Sequence, residues 1–268
     1  MSEVAGRNVL ITGAASGIGR LMALKAAAKG ASLVLWDIDE AGLAKLVAEI
    51  RANRGKAFSY CCDVSRHQDV YRVAEQVRTD VGMVDVLINN AGVISGKPLL
   101  ECSDEQIRRT MDVNTMAHFW TVRAFLPDMI RASRGHIVTI ASAGGIIGVS
   151  RMVDYCASKF AAFGFDEALR MEIRKNRWRV KTTVVCPFYI NTGMFAGVRS
   201  RFPWLLPILD EDLVADLILQ AIQLNKKRLL MPLTVYSVWL LRLLPVGLFD
   251  WIATFLGLNA SMDDFRGR

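Results

Sequence analysis

A tyrosine and a lysine one helical turn apart are the pair of side chains in this sequence best suited to chemistry. Tyr155 and Lys159 have the i, i+4 spacing that places two side chains on the same face of a helix. A phenol is a poor base at neutral pH because its ordinary pKa is about 10, but a nearby ammonium stabilises the phenolate. Ser142, which follows a strand-like run, can donate a hydrogen bond to a substrate oxygen. Together these side chains predict proton transfer at the oxygen of an alcohol or a carbonyl.

A glycine-rich segment near the N-terminus has the composition of a phosphate-binding loop. Residues 12–19 read Thr-Gly-Ala-Ala-Ser-Gly-Ile-Gly, with the spacing G-x-x-x-G-x-G rather than the common G-x-G-x-x-G. Glycines let the backbone approach a pyrophosphate, and a helix that begins here offers free N–H groups and the positive end of its dipole. Because the segment lies between a strand-like run and a helical pattern, it predicts a dinucleotide site.

Polar residues after the next predicted strands extend this site. Asp37 follows the second strand, where a carboxylate accepts hydrogen bonds from the adenosine ribose and repels a 2′-phosphate, so it favours NAD over NADP. Asp63 follows the third strand and has two open interpretations, namely contact with the adenine amino group or, with Ser65, capping of the next helix. Residues 89–92, Asn-Asn-Ala-Gly, follow the fourth strand at the edge where ligands of such sheets bind, although a plain turn explains the same residues.

Short apolar runs alternate with helical patterns along most of the chain, and this alternation must position those side chains. The runs are rich in β-branched residues and continuous, as in the buried strands of a parallel sheet. Strands are predicted at 9–11, 32–36, 57–61, 84–88, 136–141 and 180–186. Helices are predicted at 17–29, 40–53, 69–81, 103–131 and 154–176. The pattern predicts an α/β fold with a doubly wound parallel sheet, in one domain because no linker-like segment interrupts the series.

Composition and charge exclude several classes of protein. With 268 residues, 52% of them apolar, the chain can bury a large core, which excludes intrinsic disorder. Five cysteines are too few, and odd in number, for a disulfide framework, and no Cys, His or Asp cluster has the spacing of a metal site. The net charge of +7 comes without a nucleic-acid-binding motif, so neither a nucleic acid nor a metal is predicted. Because the N-terminus carries no basic-then-apolar signal segment, we expect a cytoplasmic protein.

This combination of motifs resembles that of the short-chain dehydrogenases/reductases. The resemblance covers residues from about 5 to 230 and is carried by residues 12–19, residues 89–92, Asn114, Ser142, Tyr155 and Lys159. It implies a Rossmann-type sheet of seven strands and hydride transfer between a nicotinamide cofactor and an alcohol/carbonyl pair. Members of the family are usually dimers or tetramers built on their long helices, so the resemblance also implies a homodimer or homotetramer.

The resemblance assigns roles to individual residues. It implies that Tyr155 is the catalytic acid/base and that Lys159 contacts the ribose and lowers the pKa of the tyrosine. Ser142 then orients the substrate, and Asn114 holds a water of the proton relay. Thr192 matches the family residue that contacts the nicotinamide carboxamide. The predicted cofactor-binding set consists of Gly13, Ser16, Gly17, Ile18, Gly19, Asp37, Ile38, Asp63, Val64, Asn90, Ala91, Gly92, Tyr155, Lys159, Pro187, Ile190 and Thr192.

Several short segments are similar to one branch of the family, which holds retinol dehydrogenases and the lipid-droplet type of 17β-hydroxysteroid dehydrogenases. The segments are residues 33–38, 117–120, 135–139, 155–162 and 261–263. The branch acts on retinoids, steroids or other long lipophilic alcohols and is commonly membrane-associated, which implies a lipophilic substrate.

Two features depart from that branch. We expect no N-terminal hydrophobic anchor of its usual kind, because the first predicted strand begins close to Met1. Phe188 follows Pro187 where many members of the family have glycine. We expect the Phe188 ring to face the substrate, which fits an apolar compound.

The C-terminal part of the sequence is unusually apolar. We predict a catalytic NAD-binding domain at 1–230 and an apolar extension at 231–268. Between residues 229 and 258 only Arg242 and Asp250 are charged, but the uncharged stretches are shorter than the roughly 20 apolar residues that span a bilayer. Two interpretations stay open: the extension docks peripherally on a membrane or a second subunit, or it only covers the substrate pocket.

Three functions remain open on the sequence alone. The favoured one is NAD-dependent interconversion of a lipophilic alcohol and its carbonyl. A second keeps this chemistry and changes the substrate to a carrier-bound or small polar compound, which Phe188 and the apolar C-terminal part disfavour. A third is a non-catalytic NAD-binding sensor, which the presence of both Tyr155 and Lys159 disfavours.

Overall fold

A parallel sheet of seven strands between two layers of helices makes up the computed structural model, which describes residues 4–267. The strands are β1 (Asn8–Thr12), β2 (Ser32–Asp37), β3 (Lys56–Cys61), β4 (Val86–Asn89), β5 (His136–Ile140), β6 (Lys181–Pro187) and β7 (Arg228–Met231). The helices are α1 (Gly17–Ala28), α2 (Glu40–Ala52), α3 (His67–Asp80), α4 (Asp104–Met111), α5 (Ala117–Arg131), α6 (Val153–Lys175), α7 (Glu211–Gln223), α8 (Val238–Leu241) and α9 (Val246–Phe255). The predicted doubly wound α/β fold in one domain is confirmed.

The central strands are buried along their length because helices cover both faces of the sheet. All residues of β4 and of β5 are buried, which explains the continuous apolar runs. On one face, Met22 of α1 and Ile218 of α7 pack against the sheet. On the other face, Val73 of α3 and Phe125 of α5 do so.

The order of the strands places a crevice between β1 and β4. The order is β3-β2-β1-β4-β5-β6-β7, so the chain adds β2 and β3 on one side of β1 and then crosses over to place β4 on its other side. Loops that leave neighbouring strands in opposite directions open a crevice at the carboxyl ends, where ligands of open α/β sheets bind. Residues 12–19 begin at the last residue of β1 and residues 89–92 at the last residue of β4, so the sheet brings both predicted loops to this crevice.

Two predicted elements differ from the structure. The helix predicted at 103–131 is two helices, α4 and α5, joined by a π-helical turn at Asp112–Met116. Such a turn shifts the register of the helix, and here Asn114 within it is fully buried. The apolar runs also do not predict β7, because its four residues continue directly into the apolar C-terminal stretch.

The C-terminal part packs back onto the sheet and α6. A 3₁₀ turn at Leu233–Ser237 leads into α8 and α9, and Val235 and Ala253 are buried in one cluster with Phe163 of α6. The boundary predicted after residue 230 falls inside β7, so the extension leaves the sheet after Met231. None of the helices within residues 4–267 combines the length and the apolar character that crossing a bilayer requires.

Candidate active site

Tyr155, Lys159 and Ser142 meet at the carboxyl end of β5. Ser142 follows the strand, and its Oγ accepts a hydrogen bond from the backbone N–H of Gly144 at 3.0 Å. Tyr155 and Lys159 lie one turn apart near the start of α6, and Lys159 Nζ is 5.7 Å from the centre of the tyrosine ring. Lys159 Nζ also donates to the carbonyl oxygen of Ile140 at 2.9 Å, which holds the ammonium at the end of β5.

Burial dominates the electrostatics of this group. Tyr155 is 4% exposed and Lys159 is 3% exposed. Burial raises the pKa of the Tyr155 phenol, and the hydrogen bond with Ser142 lowers that pKa only in part. Burial lowers the pKa of Lys159 to about 8, because the ammonium loses its hydration. Burial is thus the main influence on the pKa of Tyr155, and the lowering of this pKa by Lys159 that the resemblance implies stays a prediction.

Asn114 lies in the π-helical turn and forms hydrogen bonds with the loop after β4 and with α6. Its Oδ1 accepts from Val93 N at 2.8 Å, and its Nδ2 donates to the carbonyl oxygen of Val93 at 2.9 Å. Nδ2 also donates to Ser158 Oγ at 3.0 Å, and the Ser158 hydroxyl in turn donates to the carbonyl oxygen of Tyr155. The side chain thus ties the loop after β4 to the helix that carries Tyr155. Its expected hold on a relay water stays a prediction.

The loop between β1 and α1 forms a cradle that requires glycine. Gly13 has a φ of +65°, and a Cβ there would lie 2.9 Å from Ala91 Cα. A Cβ on Gly19 would lie 2.1 Å from the carbonyl oxygen of Gly13 and 2.7 Å from Asn90 Nδ2. Side chains at these positions would force the two loops apart. Ser16 is the N-cap of α1 and its side chain makes no capping hydrogen bond, so the first N–H groups of α1 are free to meet an anion.

Hydrogen bonds join the loops after β1 and β4 into one crevice. Thr12 Oγ1 accepts from the backbone N–H groups of Asn90 and Ala91 at 3.0 and 3.1 Å. Asn90 Nδ2 donates to the carbonyl oxygens of Thr12 and Gly13 at 2.9 and 3.1 Å. A Cβ on Gly92 would lie 3.6 Å from Lys159 Nζ, so the same loop reaches the lysine. Thr12, absent from the predicted cofactor set, therefore organises the crevice.

The acidic residues at the end of β2 and just after β3 have different contacts. Asp37 Oδ2 accepts from Ala15 N at 2.9 Å, which holds the carboxylate against the glycine-rich loop. Asp63 Oδ1 accepts from the N–H and the hydroxyl of Ser65 at 3.0 and 2.7 Å, which holds the turn before α3. Neither Asp63 nor Ser65 caps α3, because its N-cap is Arg66 and no side chain makes a capping hydrogen bond there, so the capping interpretation is wrong. Contact of Asp63 with adenine stays a prediction.

The other predicted cofactor residues differ in placement. Thr192 Cγ2 lies 3.8 Å from the position that a Cβ on Gly17 would take, so the loop after β6 reaches the glycine-rich loop. Pro187 is the last residue of β6. The remaining four differ in exposure: Val64 and Ile190 are buried, Ile18 is half-buried, and Ile38 is 59% exposed.

The match to known proteins agrees with this geometry. The family model described as short chain dehydrogenase matches residues 7–202. This chain belongs to the short-chain dehydrogenase family. It is accordingly an oxidoreductase of a family that uses a nicotinamide cofactor.

Among characterised relatives, several similar to this short-chain dehydrogenase are retinol dehydrogenases. The chain is 46% identical to short-chain dehydrogenase/reductase family 16C member 6 of Bos taurus, over 99% of this chain and 85% of that protein. It is 48% identical to epidermal retinol dehydrogenase 2 of Homo sapiens and 42% identical to retinol dehydrogenase 10 of Homo sapiens, each over 98% of this chain and 86% of that protein. The retinol dehydrogenase-like branch that the short segments predict is confirmed.

Solved short-chain dehydrogenases share the fold and differ in cofactor. A short-chain dehydrogenase/reductase from Burkholderia phymatum in complex with NAD has a TM-score of 0.82 and 31% identity, over 90% of this chain and 95% of that one. A metagenomic short-chain oxidoreductase in complex with NADP has a TM-score of 0.72 and 31% identity, over 86% of this chain and 98% of that one.

In this short-chain dehydrogenase, Tyr155 is covered by residues distant in sequence. The Phe195 ring meets the tyrosine ring edge-on at a centroid distance of 6.1 Å, and Met262 is fully buried in the same cluster. Phe265 packs on Gly96, where a Cβ would lie 2.0 Å from its ring. A C-terminal cover over the substrate pocket is one of the two interpretations left open by the sequence, but no local pattern relates Phe195, Met262 or Phe265 to Tyr155.

Proposed function

We propose that this protein interconverts a lipophilic alcohol and its carbonyl compound, with NAD as cofactor. The substrate class is that of retinoids, steroids or long-chain hydroxy lipids. The observation that carries the proposal is the meeting of Tyr155, Lys159 and Ser142 beside the crevice that holds the glycine-rich loop. The names of the relatives, which are retinol dehydrogenases, support a lipophilic substrate over a small or carrier-bound one.

The residues of the crevice fit a dinucleotide. Gly13 and Gly19 leave space that side chains would fill, and the Ser16 hydroxyl and the first N–H groups of α1 are free to hold a phosphate. Asp37 would accept hydrogen bonds from the ribose and repel a 2′-phosphate, which supports NAD. The chemistry that NAD⁺ supplies when bound is hydride acceptance, together with a positive charge on its nicotinamide ring.

Tyr155 moves the proton in the proposed reaction. In the oxidation direction, its phenolate oxygen takes the proton of the substrate hydroxyl, while the Ser142 hydroxyl donates a hydrogen bond to the same substrate oxygen. Because burial raises the pKa of Tyr155, forming the phenolate depends on positive charge close by, and Lys159 is this chain's own source of it. General acid–base catalysis of this kind contributes roughly 10²–10⁴-fold to a rate.

Turnover assays with a Tyr155→Phe control test the proposal. With NAD⁺, the wild-type protein should give a higher kcat/KM for retinol, a steroid alcohol or a long-chain alcohol than for a small polar alcohol. Tyr155→Phe keeps the ring packing and removes the ionisable hydroxyl, so it should abolish turnover and leave NADH binding, followed by fluorescence titration, nearly unchanged. Residual activity above about a tenth of wild type would contradict the role of Tyr155.

Two other outcomes of the same assays distinguish the alternatives. A higher kcat/KM for a small or carrier-bound substrate would support the second function, in which Tyr155 has the same role. NADH binding without turnover of any alcohol would support a non-catalytic sensor.

We further propose two associations of the whole chain. Phe119 of α5 and Met171 of α6 are exposed apolar side chains on the long helices, which supports a homodimer or homotetramer built there. Exposed leucines and tryptophans in residues 233–255 support peripheral contact with a membrane. We propose that this contact is made from the cytoplasm. The mass of the protein in solution, from sedimentation, tests the first association.

A further inference from the structure

An apolar cavity lies between the loop after β5 and the C-terminal helices. Its volume is about 70 Å³, several times the roughly 10–15 Å³ that one water molecule requires. Ala143, which follows Ser142, and Phe188, which follows Pro187, line the side that adjoins the proposed active site in sequence. The C-terminal part contributes most of the remaining wall, including Val235, Val238, Phe249, Ile252 and Ala253.

The cavity has no free hydrogen-bonding side chain. Two of its lining residues carry hydroxyls, Thr234 and Ser237, and all the others are apolar. Thr234 Oγ1 donates to the carbonyl oxygen of Leu205 at 2.8 Å, and Ser237 Oγ donates to that of Thr234 at 2.7 Å. Because both hydroxyls are already engaged, the cavity suits a hydrocarbon rather than a polar group.

Tyr155 lies in a neighbouring apolar cluster that the C-terminal tail closes. The cluster contains Tyr155, Met152, Tyr189 and Met262, and Met262 is fully buried. Because Tyr155 is 4% exposed, the approach to its hydroxyl passes other side chains.

Phe188 packs against both regions. Its half-buried side chain contacts the cluster around Tyr155 and also the cluster that contains Val235 and Ala253. Its backbone N–H donates to the carbonyl oxygen of Met231 at 2.7 Å, so the sheet edge holds its main chain. The ring can still change rotamer while the backbone stays in place.

We propose that the cavity holds the hydrocarbon chain of the substrate and that Phe188 is the gate between the cavity and Tyr155. This inference rests on the proposed function and adds to it the residue that determines specificity. The carbon that carries the hydroxyl lies at Tyr155, and the chain passes the Phe188 ring to end among α8 and α9. The ring then limits the width of the substrate, and the cavity limits its length.

Straight-chain primary alcohols from butanol to dodecanol measure the length limit. In the wild type, kcat/KM should rise about fourfold for each CH₂ that enters the cavity, which corresponds to about 0.8 kcal/mol per buried CH₂, and then level off. Ala253→Phe fills the cavity from α9, so the ratio of kcat/KM for dodecanol to that for butanol should fall about tenfold or more.

A second variant, Val238→Phe, fills the cavity from α8 and replaces Ala253→Phe in the assay if that variant fails to fold. Ala48→Phe, the same substitution on the exposed face of α2, is the matched control and should keep the wild-type ratio.

Ring-bearing alcohols measure the width limit. Phe188→Ala should raise kcat/KM for cyclohexylmethanol relative to butanol, and Phe188→Leu should stay close to the wild type. An unchanged preference in Phe188→Ala would overturn the gate, and an unchanged length ratio in both Ala253→Phe and Val238→Phe would overturn the cavity as the chain site.

Binding of an unreactive ligand separates this inference from the proposed function. 1-Methoxydecane has the chain but no hydroxyl to oxidise, and calorimetry measures its binding to the protein with NADH. Its Kd should rise about tenfold or more in Ala253→Phe and stay unchanged in Ala48→Phe. Cavity-dependent binding without turnover of any alcohol would overturn the proposed function and support the cavity assignment. Binding insensitive to both cavity-filling variants would overturn the cavity assignment.

Discussion

The two aspartates predicted to bind the cofactor, Asp37 and Asp63, make different contacts in the structure. Asp37 is the last residue of β2, and Asp63 lies two residues after the end of β3. The Asp37 carboxylate lies against the glycine-rich loop through Ala15 N, whereas the Asp63 carboxylate is bound by the N–H and hydroxyl of Ser65. Because their hydrogen-bond partners differ, we expect loss of the Asp37 carboxylate and loss of the Asp63 carboxylate to affect different properties of the protein.

Cofactor preference should depend on Asp37. Asp37→Ala removes the ribose acceptor and the charge that repels a 2′-phosphate, so the preference for NAD⁺ over NADP⁺ in kcat/KM should narrow about tenfold or more, as expected for loss of a charged hydrogen bond. Asp63→Ala is the matched control and should destabilise the turn before α3 with a smaller change in preference. A wild-type protein with a higher kcat/KM for NADP⁺ than for NAD⁺ would show this reading of Asp37 to be wrong.

The helix α6 carries the proposed catalytic pair and also a buried acid. Asp166 is fully buried, and its Oδ2 accepts from Thr182 Oγ1 of β6 at 3.4 Å. Burial raises the pKa of Asp166 to about 7, although Arg170 and the hydrogen bond from Thr182 act to lower it. The helix therefore holds a carboxyl group that resists ionisation, two turns beyond Lys159.

The stability of the protein should depend on the ionisation of Asp166. The folded carboxyl group keeps its proton up to about pH 7, whereas in the unfolded chain it ionises near pH 4, so the folded state binds more protons between these values. The contribution of Asp166 to the free energy of unfolding therefore falls as the pH rises from about 4 to 7. Asp166→Asn removes this dependence. The free energy of unfolding of Asp166→Asn, minus that of the wild type, should therefore be larger at pH 8 than at pH 5. The expected increase is about 1.4 kcal/mol for each pH unit between pH 5 and the pKa of Asp166 in the folded protein.

Urea unfolding of both proteins at the two pH values measures the effect. Asp250→Asn, at an exposed acid of α9, is the control and should show no such change. A difference between Asp166→Asn and wild type that is the same at both pH values would refute the prediction.

The C-terminal part of the molecule has two apolar faces. Val235, Val238 and Ala253 line the cavity, whereas Leu240 and Leu243 are 72% and 81% exposed. Removing this part would destroy the cavity wall together with the exposed face, so truncation cannot test membrane contact alone. Substitutions on the exposed face can.

Flotation with liposomes that contain anionic phospholipids should depend on the exposed face. The double variant Leu240→Asp/Leu243→Asp introduces charge into the apolar face, so it should reduce the liposome-bound fraction about tenfold or more, since each exposed leucine buried in lipid contributes about 1.5–3 kcal/mol. Leu213→Asp/Leu224→Asp, at leucines 52% and 49% exposed on and just after α7, is the matched control and should float like the wild type. A wild-type protein that purifies without detergent and ignores liposomes would contradict membrane contact.

Local spacing in the sequence determined the alternation of strands and helices, the glycine-rich loop and the Tyr155–Lys159 pair. Each of these depends on residues a few positions apart, whose relation is the same in any fold that forms the strand or the helix. For this reason the doubly wound sheet could be predicted, and Tyr155, Lys159 and Ser142 could be named as a group before any contact between them was known.

The surroundings of Tyr155, Lys159 and Ser142 depend on tertiary packing alone. The balance that raises the pKa of Tyr155 depends on its burial, and its cover comes from Met262, more than a hundred residues further along the chain. The π-helical turn that turns Asn114 inward, and the position of Phe188 between two clusters, likewise follow from contacts between distant elements. Burial depends on every neighbouring element at once, so no short stretch of sequence carries that information.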